Sequence, residues 1–181
     1  LDQLLLNRGT SRDRGKRWRR QIKPFIEKTL RHRVYDPAED EKKNLTREEV
    51  AKFRTWKRTD LERFRQTVRK IVNFDLDIVQ NQADYLICYW DAKTSRGAGT
   101  PAELTAAYRK GISVYLVTGL PLAKVSGWVL ACADRIFPSF DELKAFLKQT
   151  YGKKPPSDLA AELGPPPRAP NCATAVSAVL Y

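Results

Sequence analysis

Two stretches of the chain, "DYLICYW" and "ISVYLVT", are nearly continuous apolar runs rich in β-branched and aromatic residues. Such runs suit parallel strands buried on both faces. Around them the apolar positions recur every three or four residues, the period of an amphipathic helix. The pattern predicts a helix from Pro101 to about Lys110 with Gly111 at the C′ position, and a short helix over "SGWVLACA". A short strand "RIF" follows, then a helix "FDELKAFLKQT" capped by Ser139. Upstream, "DQLLL" reads as a first, central strand and "NRGTSRDRG" as a polar loop. A helix is expected from about Arg17 to Leu30, with Trp18, Ile22, Phe25, Ile26 and Leu30 on one face. "HRVYDP" is a brief strand stopped by Pro37. Thr46 and Glu49 have the spacing of a capping box, opening a helix that runs, with a break near Thr59, to about Lys70. "IVNFDLDIVQNQA" fits strand or helix; a turn near Asn73 and a short helix from about Asp75 to Gln82 is the reading adopted.

Strands alternating with helices imply βαβ units and a mostly parallel sheet. The expected fold is α/β, a flavodoxin-like or Rossmann-like three-layer sandwich with five strands in the order 2-1-3-4-5. This domain spans residues 1–152, and the remainder, residues 153–181, loses periodicity and gains prolines. It reads as an extended tail that packs on a neighbour through its apolar end. Trp18 and Trp128 are both expected in the core.

Composition narrows the setting. Hydrophobic residues make up 42% and charged residues 30%, a globular profile, and no apolar run approaches the roughly 20 residues that span a bilayer. The short apolar start leads into arginines and lacks a signal-peptide pattern. Cys88, Cys132 and Cys172 are odd in number and lack metal-ligand spacing; Cys88 inside a strand and Cys132 inside an apolar segment read as buried free thiols, which favours a reducing, cytoplasmic setting. With His32 the one histidine, a zinc site or a histidine-based triad is disfavoured, and acid–base or nucleophilic work falls to carboxylates. No metal or cofactor is expected. Residues 1–73 hold 22 Lys and Arg against 11 Asp and Glu, or +11 of the total +12. That asymmetry points to an anionic partner, either a phosphorylated small molecule, a nucleic acid or an acidic protein surface; the bland alternative is a solvated helical face.

In open α/β sheets ligands bind beyond the carboxyl ends of the strands, where the strand order reverses. The loops expected there bring together Asp75, Asp91 and Glu103, glycines 9, 97 and 99, and arginines 8, 12, 14 and 96. Arg8, Gly9, Arg12, Arg14, Arg96, Gly97 and Gly99 are thus candidates for substrate binding, the arginines for an anion. Glu103 carries an ambiguity, because Thr-Pro-Ala-Glu is also a helix start in which Glu103 would fold back onto the Thr100 N–H.

The order of several elements resembles the nucleoside 2-deoxyribosyltransferase family and its nucleotide N-glycosidase relatives. They are Asp75-Leu76, Ala83-Asp84 leading into a buried strand, Gly99-Thr-Pro-Ala-Glu103-Leu104, Ala107 and Gly111, with "GWVLACADRIFPSFDELKAFL" as the closing strand and helix. The resemblance covers residues 70–148 well and the first 70 weakly. It implies cleavage or exchange at the N-glycosidic bond of a nucleoside or nucleoside 5′-monophosphate. Glu103 would be the nucleophile at C1′, Asp75 an acid that holds the sugar and the nucleophile, and Asp91 a further acid of variable position. It also implies a homo-oligomer in which a neighbour completes the pocket. The family's aromatic residue and Gly-Pro or Gly-Ser pair after strand one are replaced here by "LLLNRGTSRDRG". A non-catalytic nucleotide-binding or nucleic-acid-binding module on the same fold is the alternative.

Overall fold

The computed structural model describes residues 11–37, 44–92, 94–152 and 177–180; the side chains of residues 11–16 and 96 lie outside that set. Helix α1 (Ser11–Pro24) passes directly into a π-helical turn, Phe25–Thr29. Pro24 has no N–H to give the ladder, and the helix widens at that point. The helix starts six residues before the expected Arg17, so Arg12, Arg14 and Gly15 are helical where a loop was expected. One helical glycine costs about 1 kcal/mol. Burying Trp18, Ile22 and Ile26 at roughly 1.5–3 kcal/mol each outweighs it.

Strand β1 (Arg33–Tyr35) precedes helix α2 (Arg47–Thr59). Both bonds of the expected capping box are present: Thr46 N–H donates to Glu49 Oε2 at 2.8 Å, and Glu49 N–H to Thr46 Oγ1 at 3.2 Å. The break near Thr59 is also present. There Asp60 caps helix α3 (Leu61–Asp77), accepting from the Arg63 N–H at 3.0 Å. The turn at Asn73 is not. Helix α3 runs through it to Asp77 and continues as a π-helical turn, Ile78–Gln82, so Asp75 sits in the body of a helix. Val68, Ile71, Phe74, Asp75, Ile78 and Val79 keep helical spacing on the covered side, and no Gly or Pro interrupts them.

Strands β2 (Tyr85–Tyr89), β3 (Ser113–Val117) and β4 (Arg135–Phe137) alternate with helices α4 (Gly99–Lys110), α5 (Gly127–Cys132) and α6 (Phe140–Tyr151). The last strand, β5, is Ser177–Leu180. All pairings are parallel, in the order β1-β5-β2-β3-β4. The second place in the sheet was expected for residues 2–6, which lie outside the described residues; β5 holds it instead. Residues 177–180 are therefore an inner strand, not the end of an extended tail. Ala178, Val179 and Leu180 are fully or almost fully buried, as an inner parallel strand requires. Asp84 fixes where β5 begins: Ser177 N–H donates to Asp84 Oδ2 at 2.6 Å and Asp84 N–H to Ser177 O at 2.9 Å. Asp134 does the same for β4 against Val114, at 2.7 and 3.0 Å.

The two faces of the sheet make two cores. Leu86, Cys88, Trp90, Val114, Leu116 and Val179 pack under the end of α3 and under α4 and α5. Tyr85, Ile87, Tyr115, Val117, Ala178 and Leu180 pack under α1 and α6. Trp18 belongs to the second core, as expected. Trp128 does not belong to either; it is 64% exposed, its Nε1–H donating to Thr105 Oγ1 at 2.8 Å across α5 and α4. Among the described residues no helix is long and apolar enough to cross a membrane.

Candidate functional site

The chain steps from β2 to β3 to β4 with α4 and α5 on one face, then returns through α6 on the other face to β5. The order thus reverses between β5 and β2, and the carboxyl ends of those strands are where a ligand site is expected. Arg19 from α1 spans this end. Its Nε lies 3.4 Å from the Leu180 carbonyl and 3.3 Å from Asp36 Oδ1, just beyond β1. Cys88, buried near the end of β2, reports on the neighbourhood. Burial pushes its thiol up to about 12, the Glu103 charge pushes the same way, and Arg19 pulls against both. Glu103 stands on α4, over one face of the sheet, and Arg19 on α1, over the other; the charges of both are felt at Cys88.

The capping-box reading of Glu103 fails on register. Helix α4 begins at Gly99 with Ala98 in the N-cap place, no side chain caps it, and no acidic residue lies in its first turn. The Ala102 N–H already reaches the Ala98 carbonyl at 3.3 Å. Glu103 stands in the second turn, half-buried, immediately before the fully buried Leu104. On the neighbouring helix Asp75 is 8% exposed. Leu76 of α3 and Ala102 of α4 border one groove between the two helices, and neither Asp75 nor Glu103 is among the described residues that line it.

Asp91 has a local task. Its Oδ1 accepts from the Thr94 N–H at 2.8 Å and lies 3.0 Å from the Thr94 hydroxyl, fixing a 3-10 turn, Thr94–Arg96. It also lines a crevice of about 410 Å³ across the ends of β2, β3 and β4, of a size that takes small organic ligands. Asp75 and Glu103 are not among the described residues that line it. Trp18, Tyr89 and Phe140 form one wall, with Trp18 stacked on Phe140 at 5.4 Å and 15° and tilted against Tyr89 at 6.0 Å. Arg17 and Gln21 from α1, and Ser139 at the start of α6, supply its polar groups.

The remaining candidates divide by what is described. Arg8 and Gly9 lie outside the described residues; for Arg12, Arg14 and Arg96 the backbone is described and the side chain is not. Gly97 closes the 3-10 turn by donating to Thr94 O at 3.1 Å, and the space where a Cβ would stand at Gly99 is open. Among the described side chains, Arg17 and Arg19 reach the carboxyl end of the sheet, and sequence reasoning passed over both inside "GKRWRR". The signal was there in helical phase: Arg19 follows Trp18, a core position. His32 has a structural place. It is buried, 3.0 Å from the Tyr85 hydroxyl through Nδ1, and packs edge-on to Tyr85 and Tyr151. Cys88 and Cys132 are buried free thiols, as expected, and no group of residues that could hold a metal ion occurs among the described residues. Compared with protein-family models, with curated proteins and with solved structures, the chain has no significant match.

Proposed function

We propose that the protein cleaves or exchanges the N-glycosidic bond of a nucleoside or nucleoside 5′-monophosphate, with Glu103 as the nucleophile. The supporting observation is the position of Glu103, a half-buried carboxylate in the second turn of α4, the helix that follows β2, whose charge is felt at Cys88 near the carboxyl end of that strand. A Glu103 oxygen forms a bond to C1′ as the C1′–N bond breaks, and the electron pair leaves on the base nitrogen, which takes up a proton. Water, or the nitrogen of a second base, then displaces Glu103 from C1′ and gives up a proton. The carboxylate stabilises the oxocarbenium-like transition state on the way in and on the way out. Asp75, fixed in the body of α3, is the positioning acid for the sugar hydroxyls. The resemblance of residues 70–148 to the deoxyribosyltransferase family supports the same reading, and with it a homo-oligomer. Release of free base from a panel of nucleosides and 5′-nucleotides, with and without an acceptor base, tests it. Wild type should release base and a folded Glu103→Gln variant should not; full turnover by that variant would sink the mechanism.

The aromatic crevice favours a second reading, a non-catalytic nucleotide-binding module. Trp18, Tyr89 and Phe140 offer a wall for a planar base, and Arg17 a partner for phosphate. Saturable binding of a 5′-nucleotide that Arg17→Gln weakens, with no base released from any substrate, would establish this reading over the first.

A further inference from the structure

Helices α2 and α3 form a hairpin in which α2 packs chiefly on α3. Over residues 47–70 it carries nine Lys and Arg against four Asp and Glu. The acids are already engaged. Glu48 pairs with Lys52 and Arg63, Glu49 with Lys70, Glu62 with Arg65, and Asp60 caps α3. Arg47, Arg54, Lys57, Arg58 and Arg69 have no ion pair among the described residues, and all five are exposed.

Three of these form a line. At about 100° per residue, Arg47, Arg54 and Arg58 fall within an arc of roughly 40° on α2, with the small exposed residues Ala51 and Thr55 between them. Along the axis they stand about 10 Å and then about 6 Å apart. These intervals match roughly three and two steps of one nucleic-acid strand, whose charges advance about 3.4 Å per nucleotide. The far side of α2 is covered: Phe53 is half-buried, Trp56 is buried, and the Arg63 guanidinium from α3 lies 4.2 Å over the Trp56 ring. A helix that binds an anionic lipid surface needs an apolar face to insert. Here that face is spent on α3, and what α2 offers outward is a stripe of guanidinium groups, the side chain best shaped for phosphate.

We propose that the outward face of the α2–α3 hairpin, centred on Arg47, Arg54 and Arg58, docks the phosphate backbone of nucleic acid. The surface is independent of Glu103 and of base release, so a chain that turns over no nucleoside can still show it. Binding of a fluorescent 30-nucleotide duplex of mixed sequence, followed by anisotropy over a salt series, tests the proposal. Wild type should bind with log Kd linear in log salt. The triple variant Arg47→Gln, Arg54→Gln, Arg58→Gln keeps good helix formers at these positions, which far-UV circular dichroism checks. It should lose about 2.7 from the salt slope, 0.9 for each phosphate contact, and weaken binding at 0.1 M salt on the order of 100-fold or more. The triple Arg→Lys variant should keep most of the slope, because the charge is retained. A control with equal charge loss, Arg109→Gln, Lys124→Gln, Lys148→Gln, removes exposed cations elsewhere and should change affinity only a few-fold. The proposal is overturned if the control weakens binding as much as the stripe variant, or if the stripe variant keeps the wild-type slope. It is equally overturned if wild type binds phosphatidylserine vesicles and not the duplex.

Discussion

Replacing Leu180 by Ala tests whether the last described residues belong to the heart of the sheet. Leu180 is fully buried in the core under α1 and α6, on a strand paired on both sides. The substitution removes three carbons, a transfer term of about 2.4 kcal/mol at 0.8 per methylene. A partly collapsed cavity adds to it, so a loss of about 3 kcal/mol is expected, inside the 2–5 kcal/mol typical of buried Leu→Ala changes. For a chain of this size that corresponds to a fall in Tm of about 6–12 °C. The contact of Arg19 with residue 180 is to its backbone carbonyl and survives the change. Urea unfolding followed by far-UV circular dichroism gives the loss directly, with an unchanged slope showing that the same structure unfolds. Leu122→Ala, at a site 52% exposed, serves as the comparison and should stay within about 0.5 kcal/mol. A loss under about 1 kcal/mol for Leu180→Ala would return residues 177–180 to a surface tail and remove the inner strand from the fold.

Asp84→Ala should cost about 1–3 kcal/mol by leaving the Ser177 N–H without its acceptor, and amide exchange at Ser177 and Ala178 should quicken before that of β2 and β3; unchanged exchange refutes the clamp. Burial lowers the His32 pKa below 6.5, with the Asp84 charge opposing in part, so the unfolded chain binds this proton more readily than the folded one. The stability this contributes is whole above about 6.5 and drains as pH falls toward the lower folded value. Unfolding free energy between pH 7 and pH 5 should therefore drop less steeply in His32→Phe than in wild type, and equal slopes would refute it. Trp18, Trp56 and Trp90 are at most 7% exposed while Trp128 is 64% exposed, so Trp128→Phe should remove most of the emission that iodide can quench; retention of that fraction would place Trp128 in the core.

The elements that local pattern dictates were legible. "DYLICYW" and "ISVYLVT" became adjacent parallel strands because runs of β-formers buried on both faces have few other homes. Thr46, Ser139 and Gly111 punctuate helices as expected, Gly111 with φ of 71°. What escaped was set by partners far along the chain. Nothing within "AVSAVLY" announces an inner strand, since its four described residues acquire their meaning from Asp84 and from β1 and β2 on either side. The segment "IVNFDLDIVQNQA" fits strand or helix by its local pattern, and a turn near Asn73 was the expectation. The sheet overrode it by covering Phe74, Ile78 and Val79 along one continuous helical face.

Glu103 shows how two residues of register change a chemical argument. In "GAGTPAEL" the motif T-P-x-E fits a start with Thr100 as cap and Pro101 at the first position. It fits equally a start at Gly99, because Pro101 then falls third, where its missing N–H is still one of the unpaired first four. The structure adopts the second register, closed by the Ala102 N–H on the Ala98 carbonyl and steadied by the Thr105 hydroxyl on the Pro101 carbonyl at 2.7 Å. Two residues deeper in the helix than a capping box requires, Glu103 has no N-cap to satisfy. The loss of about 1 kcal/mol that removal of a cap brings is then no longer the expectation for Glu103→Ala. Its charge is felt at Cys88, near the carboxyl end of β2, and Asp75 is buried on helix α3. On the proposed mechanism a Glu103→Gln variant that keeps its far-UV circular dichroism should lose base release, and full turnover by that folded variant would refute the role.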